Sequence, residues 1–94
     1  MLIRAPVVKE KRVRFEVAAQ PGSRVYVAGT FNHWDPTATP MKRDAGSGRF
    51  QTALRVPAGT HEYRFVVDGV WSSDPKCTDW VANDCGSLNS VLHV

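Results

Sequence analysis

His61-Glu62-Tyr63-Arg64-Phe65-Val66-Val67-Asp68-Gly69-Val70-Trp71 is the stretch whose pattern decides the fold. Tyr63, Phe65 and Val67 alternate with Glu62, Arg64 and Val66. That period of two sends one set of side chains into a core and the other to the outside of a strand. Asp68-Gly69 then stands between apolar flanks. A two-residue type I′ turn needs positive φ at both positions, which Asp tolerates and Gly adopts without steric cost. The stretch therefore predicts a strand over 61–67, a tight hairpin, and a short returning strand over 70–72.

The same alternation extends outward. Residues 11–19 set Val13, Phe15 and Val17 against Arg12, Arg14 and Glu16. Residues 24–31 set Val25, Val27 and Gly29 against Arg24, Tyr26 and Ala28. Residues 49–56 set Phe50, Thr52, Leu54 and Val56 against Arg49, Gln51 and Arg55. Met41-Lys42-Arg43 reads as a short edge strand and residues 88–94 as the last one. Turn formers separate them: Pro21-Gly22-Ser23, Asp44-Ala45-Gly46-Ser47-Gly48 and Pro57-Ala58-Gly59-Thr60, with a long loop from Asn32 to about Pro40. No segment sustains a helical period. About seven short strands with frequent turns predict an all-β, immunoglobulin-like antiparallel sandwich of two sheets; a five-stranded barrel is the alternative.

Ninety-four residues make one domain, with residues 1–10 read as a tail or linker and 11–94 as the sandwich. Such a chain buries about two thirds of its unfolded surface, so it has one modest core. Apolar residues are 43% and charged residues 22%, as in ordinary globular chains. No apolar run approaches the roughly 18 residues of a membrane span. The start, Met1 to Glu10, lacks the apolar segment of a secretory signal. These features predict a cytoplasmic protein with no membrane partner, either whole or cut from a longer chain. The formal charge of +3 comes from eight arginines and four lysines scattered among apolar residues. Scattered cations describe a solvated sheet face, so nucleic acid is not the expected partner. Cys77 and Cys85 are too few for a disulfide scaffold or a structural zinc site. They either staple the seven residues between them or remain free thiols, and the lack of a secretory signal favours thiols.

Catalysis needs converging groups, and the chain offers none. His33, His61 and His93 lie on different elements and fall in no ligand motif, so neither a metal nor a cofactor is expected. Asp68 and Asp74 are explained as turn formers rather than as a glycosidase pair. What remains is recognition. Trp34 closes Thr30-Phe31-Asn32-His33-Trp34 ahead of Asp35-Pro36, and Trp71 follows the Asp68-Gly69 turn. A rigid sheet that presents two indoles makes a platform for the C–H-rich face of a sugar, while Arg64 supplies rim hydrogen bonds. Trp80 is read instead as a plug that tucks the cysteine-flanked loop onto the sandwich.

Three motifs now carry a resemblance. Val25-Tyr26-Val27-Ala28-Gly29-Thr30-Phe31-Asn32-His33-Trp34, the run Pro57 to Trp71, and Asp74-Pro75 followed by Gly86-Ser87-Leu88-Asn89-Ser90-Val91-Leu92-His93-Val94 occur in order. Together they resemble the glycogen-binding module of the AMP-activated protein kinase β subunit, a family-48 carbohydrate-binding module. The same E-set sandwich precedes the catalytic barrel of isoamylase-type and branching enzymes. The resemblance covers about residues 11–94. It implies a non-enzymatic domain that binds α-1,4-linked glucans such as glycogen, starch or maltodextrins, beside a catalytic or kinase-type partner. The alternative it carries is an accessory domain that packs on a barrel without binding sugar. Carried over singly, the family's two stacking tryptophans fall on Trp34 and Trp71. Its lysine falls on Arg64, its threonine on Ser87 and its asparagine on Asn89. Cys85 stands where the family has a leucine reaching into the curve of the glucan, and Arg64 brings a planar fork in place of an ammonium.

Overall fold

The computed structural model describes residues 9–84 and 86–94. Its strands are β1 (Glu10–Val17), β2 (Val25–Gly29), β3 (Lys42–Arg43), β4 (Phe50–Pro57), β5 (Thr60–Val67), β6 (Val70–Ser72), β7 (Trp80–Ala82) and β8 (Leu88–His93). A 3-10 turn spans Thr30–Asn32. The strands form an antiparallel sandwich of two sheets. One has the order β1-β4-β3; the other has the order β2-β5-β8-β7, with β6 also paired to β5. In that larger sheet β8 pairs with residues 60–63 of β5 and β6 pairs with residues 65–67.

The alternation explains the core. Phe15, Val17 and Phe50 from the smaller sheet meet Val25, Val27, Tyr63 and Phe65 from the larger. Phe65 and Val27 are fully buried, and the rings pack edge-on: Phe15 to Tyr63 at 5.1 Å and 71°, Tyr63 to Phe65 at 5.8 Å and 74°. A buried phenol needs a partner, and Tyr63 donates to Asp74 Oδ2 at 2.6 Å. Burial, and then this bond, pushes the Tyr63 hydroxyl far above the usual phenol range, so it stays a donor. Asp74 N in turn donates to Ser90 Oγ at 2.9 Å, which pins the segment after β6 to β8. Asp74 Oδ1 also accepts from Lys76 N at 2.9 Å, the local bond of a turn former.

The Asp68-Gly69 hairpin forms with φ of 49° and 81°, and Val67 pairs with Val70. Three features depart from the pattern. First, β2 stops at Gly29 instead of running on to 31. A Cβ at Gly29 would lie 2.5 Å from Glu62 O and 2.7 Å from Phe31 Cε2, so only glycine allows the chain to turn against β5 there. Second, Ala28 and Val66 are buried at 0% and 4% exposure on the face read as polar. Cross-strand neighbours flank them there, Tyr26 and Trp71 beside Val66 and Arg64 beside Ala28, while the loop after β2 pairs with the edge of that strand, with Val27 N donating to Thr39 O at 3.1 Å and Met41 N to Val25 O at 2.8 Å. Third, β7 is a strand that the alternation does not show. Its Trp80 is 53% exposed, which corrects its reading as a plug. Trp80-Val81-Ala82 is instead an edge strand on β8. The loop before it is held by polar contacts: Val91 N donates to Asp79 O at 2.8 Å, and His93 Nε2 lies 2.8 Å from Asp79 Oδ2. Cys77 carries a free thiol that donates to Asp79 O at 3.0 Å; the question of a bridge to Cys85 lies outside the described residues.

Candidate functional site

The outer face of the larger sheet is arranged in rows. Tyr26, Val66 and Trp71 pair across β2, β5 and β6. Ala28 and Arg64 pair in the next row, and Glu62 pairs with Val91 in the one after. Asn89, two residues from Val91, shares that face. Strand register thus collects an indole, a guanidinium and an amide on one surface, although they come from three strands.

Trp34 reaches this surface by a different device. His33 and Trp34 both have φ of 57°, a left-handed conformation that costs a residue with a Cβ and persists only where the surroundings enforce it. Asn32 does the enforcing. Its Oδ1 accepts from Gly29 N at 2.9 Å, while Nδ2 donates to Val27 O and Thr39 Oγ1, each at 3.0 Å. Trp34 N closes the turn on Gly29 O at 2.9 Å. Beyond it, Asp35 Oδ1 accepts from Thr37 N at 2.9 Å and from Thr37 Oγ1 at 3.1 Å. The Thr37 N–H, then its hydroxyl, hold the Asp35 carboxyl below the usual range. The result is a tilted pair, with the Trp34 and Trp71 ring centroids 6.4 Å apart and 41° between their planes.

The two indoles share a shallow cavity of about 280 Å³ with Arg64, Asn83, Asp84 and Asn89. Arg64 Nη2 donates to Trp71 O at 3.4 Å, and its Nε is buried with no partner among the described residues. Asn89 is 8% exposed. Its Nδ2 donates to Glu62 Oε1 at 3.0 Å and its Oδ1 accepts from Asn83 Nδ2 at 3.1 Å, so the amide orientation is set from both sides. Ser87 does not line the cavity. It braces Asn83 instead, with Ser87 N donating to Asn83 Oδ1 at 3.0 Å and Asn83 N to Ser87 O at 2.9 Å. Cys85 lies outside the described residues. Of the residues singled out in the sequence, Trp34, Trp71, Arg64 and Asn89 come together. Asn83, Asp84 and Glu62 were missed. Asn83 and Asp84 read only as turn formers between the cysteines, and Glu62 as the polar phase of a strand.

Apolar ring faces beside neutral and charged hydrogen-bonding groups suit a neutral polyol, because C–H faces stack while rim hydroxyls are satisfied. A larger cavity of about 540 Å³ lies on the other sheet, among residues such as Arg12, Arg14, Pro40 and Lys42. It has no aromatic platform, and size without one does not define a sugar site. Among the described residues, no group of three or more His, Cys, Asp or Glu is placed to hold a metal. His61 is occupied through both ring nitrogens, by Thr30 Oγ1 at 2.9 Å and Pro57 O at 2.8 Å. No helix among the described residues is long and apolar enough to cross a membrane.

The family described as the glycogen recognition site of AMP-activated protein kinase matches residues 12–94. The chain is 36% identical over 73 residues to the 5'-AMP-activated protein kinase subunit beta-1 of Sus scrofa, covering 78% of this chain and 56% of that one. It is 34% identical over 76 residues to the subunit beta-2 of Homo sapiens, covering 81% of this chain and 26% of that one. The chain thus spans about half the length of the first relative and about a quarter of the second.

Proposed function

The chain belongs to the family of the glycogen recognition site of AMP-activated protein kinase, and from that premise we propose that it binds α-1,4-linked glucans without chemical conversion. One observation carries the reading: Trp34 and Trp71, from distant elements, stand 6.4 Å apart on one face. Consecutive glucose units stack on the two indoles. Arg64 and Asn89 donate to the rim hydroxyls, and Asp84 accepts from them. Ser87 acts through Asn83, which holds Asn89 in place.

The site is shallow, so binding is weak. A bound sugar chain leaves much of its surface in water, and dissociation constants from micromolar to millimolar correspond to about −4 to −8 kcal/mol. The ligand is neutral, so affinity is nearly independent of salt, unlike that of a phosphate-backbone binder. The relatives are subunits of a kinase, which supports assembly of this domain beside a catalytic chain. The test is a titration with maltoheptaose, followed by tryptophan fluorescence and amide chemical shifts. Saturation with shifts at Trp34, Arg64 and Trp71 supports the reading; no saturable change up to high millimolar sugar overturns it.

A further inference from the structure

Trp71 borders two cavities. One is the site above; the other, about 380 Å³, lies along the same sheet face and is lined by Tyr26, Val66, Pro36, Thr37, Arg24 and Asp68, among others. We propose that this second cavity is a further glucan subsite, in which a sugar unit beyond the tryptophan pair lies against the ring of Tyr26. The proposal rests on the glucan reading of the first site.

The floor is set by register. Tyr26, Val66 and Trp71 are directly opposed across three neighbouring strands. Adjacent strands lie about 4.8 Å apart, so the two aromatic residues flank Val66 at roughly twice that spacing. Val66 is 4% exposed, which leaves an apolar base between two rings. One wall, Pro36 and Thr37, belongs to the loop that carries Trp34, so both cavities are shaped by the same Asn32 knot.

Arg24 and Asp68 supply the polar groups. Arg24 N donates to Asp68 Oδ1 at 2.8 Å, and Asp68 N donates to Arg24 O at 2.9 Å, so the two backbones are locked together. The Arg24 guanidinium has no ion pair or hydrogen bond among the described residues, and the Tyr26 hydroxyl likewise has no partner there. An aromatic and aliphatic base with a few convergent donors and acceptors is the composition of a carbohydrate subsite. One cation and one carboxylate give the cavity no net charge, which favours a neutral polyol over a phosphate. Continuity decides the occupant. Because Trp71 is common to both cavities, a single glucan chain passes from Trp34 over Trp71 to Tyr26 without leaving the surface.

The proposal predicts that affinity depends on chain length. Maltotriose and maltoheptaose are titrated into the unmodified chain, Tyr26→Ala and Arg24→Gln, with amide shifts as the readout. In the unmodified chain maltoheptaose binds about tenfold more tightly, a stacking-sized gain. Maltoheptaose, but not maltotriose, moves the amides of Thr37 and Gly69. Each substitution removes most of the gain and leaves maltotriose affinity within about twofold. Equal affinity for the two sugars, with Thr37 and Gly69 unmoved, overturns the subsite while leaving the tryptophan site standing. A Tyr26→Ala variant that weakens both sugars alike, with Arg24→Gln weakening neither, also overturns it. Failure of the unmodified chain to bind either sugar removes both readings.

Discussion

Replacing Asn32 by alanine tests how the site is built. The side chain makes three hydrogen bonds, from Gly29 N and to Val27 O and Thr39 Oγ1, in a partly buried setting. A hydrogen bond contributes about 0.5–1.5 kcal/mol net, so three account for roughly 2–4 kcal/mol. Gly29 is buried, and stranding its N–H puts the cost in the upper half of that range. For a domain of this size such a loss lowers Tm by about 10–25 °C. The consequence for binding is larger than the lost bonds suggest. His33 and Trp34 hold left-handed φ of 57°, a strain of about 1–3 kcal/mol each, and Asn32 enforces it. Freed of the knot, the loop relaxes and Trp34 leaves its place beside Trp71. Urea unfolding and a maltoheptaose titration measure the two effects together. Asn32→Asp isolates one bond: it keeps an acceptor for Gly29 N and for the Thr39 hydroxyl but sets an oxygen against Val27 O in place of a donor, so it too is less stable than the parent. If Asn32→Ala loses less than about 1 kcal/mol and binds maltoheptaose as the parent does, the account of how Trp34 is positioned is wrong.

Three further outcomes separate site from scaffold. Trp71→Ala, at a residue 37% exposed, abolishes maltoheptaose binding with little change in the urea midpoint, whereas Phe65→Ala, at 0% exposure, loses about 3–5 kcal/mol in the same unfolding assay. Gly29→Ala forces a Cβ to 2.5 Å from a backbone carbonyl and to 2.7 Å from Phe31, so it destabilises by about 1–3 kcal/mol or more, read by thermal melting. Asp35 has a folded pKa below its ordinary value of 3.8, held there by the Thr37 N–H and then its hydroxyl. Its contribution is therefore complete above that ordinary value and is lost as pH falls through the folded one. The unfolding stability that Asp35 contributes is thus flat near neutrality and falls below about pH 4, and the fall, read by urea unfolding, is shallower in Asp35→Ala.

Local chemistry made much of this molecule readable. Phe15, Tyr63 and Phe65 declare their face because side chains alternate along a strand whatever the strand later pairs with. Asp68-Gly69 declares a hairpin because few dipeptides accept positive φ twice. β7 gave no such signal. Trp80-Val81-Ala82 has three apolar residues in a row, and it is a strand because β8 offers an edge to pair with. The burial of Ala28 and Val66 likewise depends on the neighbours that strand pairing sets beside them, Arg64 for the one and Tyr26 with Trp71 for the other, not on the pattern of their own strands.

The site divides in the same way. Residue types alone indicated what kind of ligand suits the chain, since two indoles with arginine and asparagine nearby match a neutral sugar in apolar and polar parts alike. They did not indicate that Asn83 and Asp84 line the same cavity, that Glu62 bonds Asn89, or that Ser87 bonds Asn83 from outside it. Trp34 and Trp71 are 37 positions apart, and their 6.4 Å separation follows from the pairing of β2 with β5 and β5 with β6, together with the Asn32 knot. Alternation and turn chemistry act between neighbours in the chain, so they are written in it. The distance between two loops is set by strand register and packing over the whole sheet, which exists only once the chain has folded.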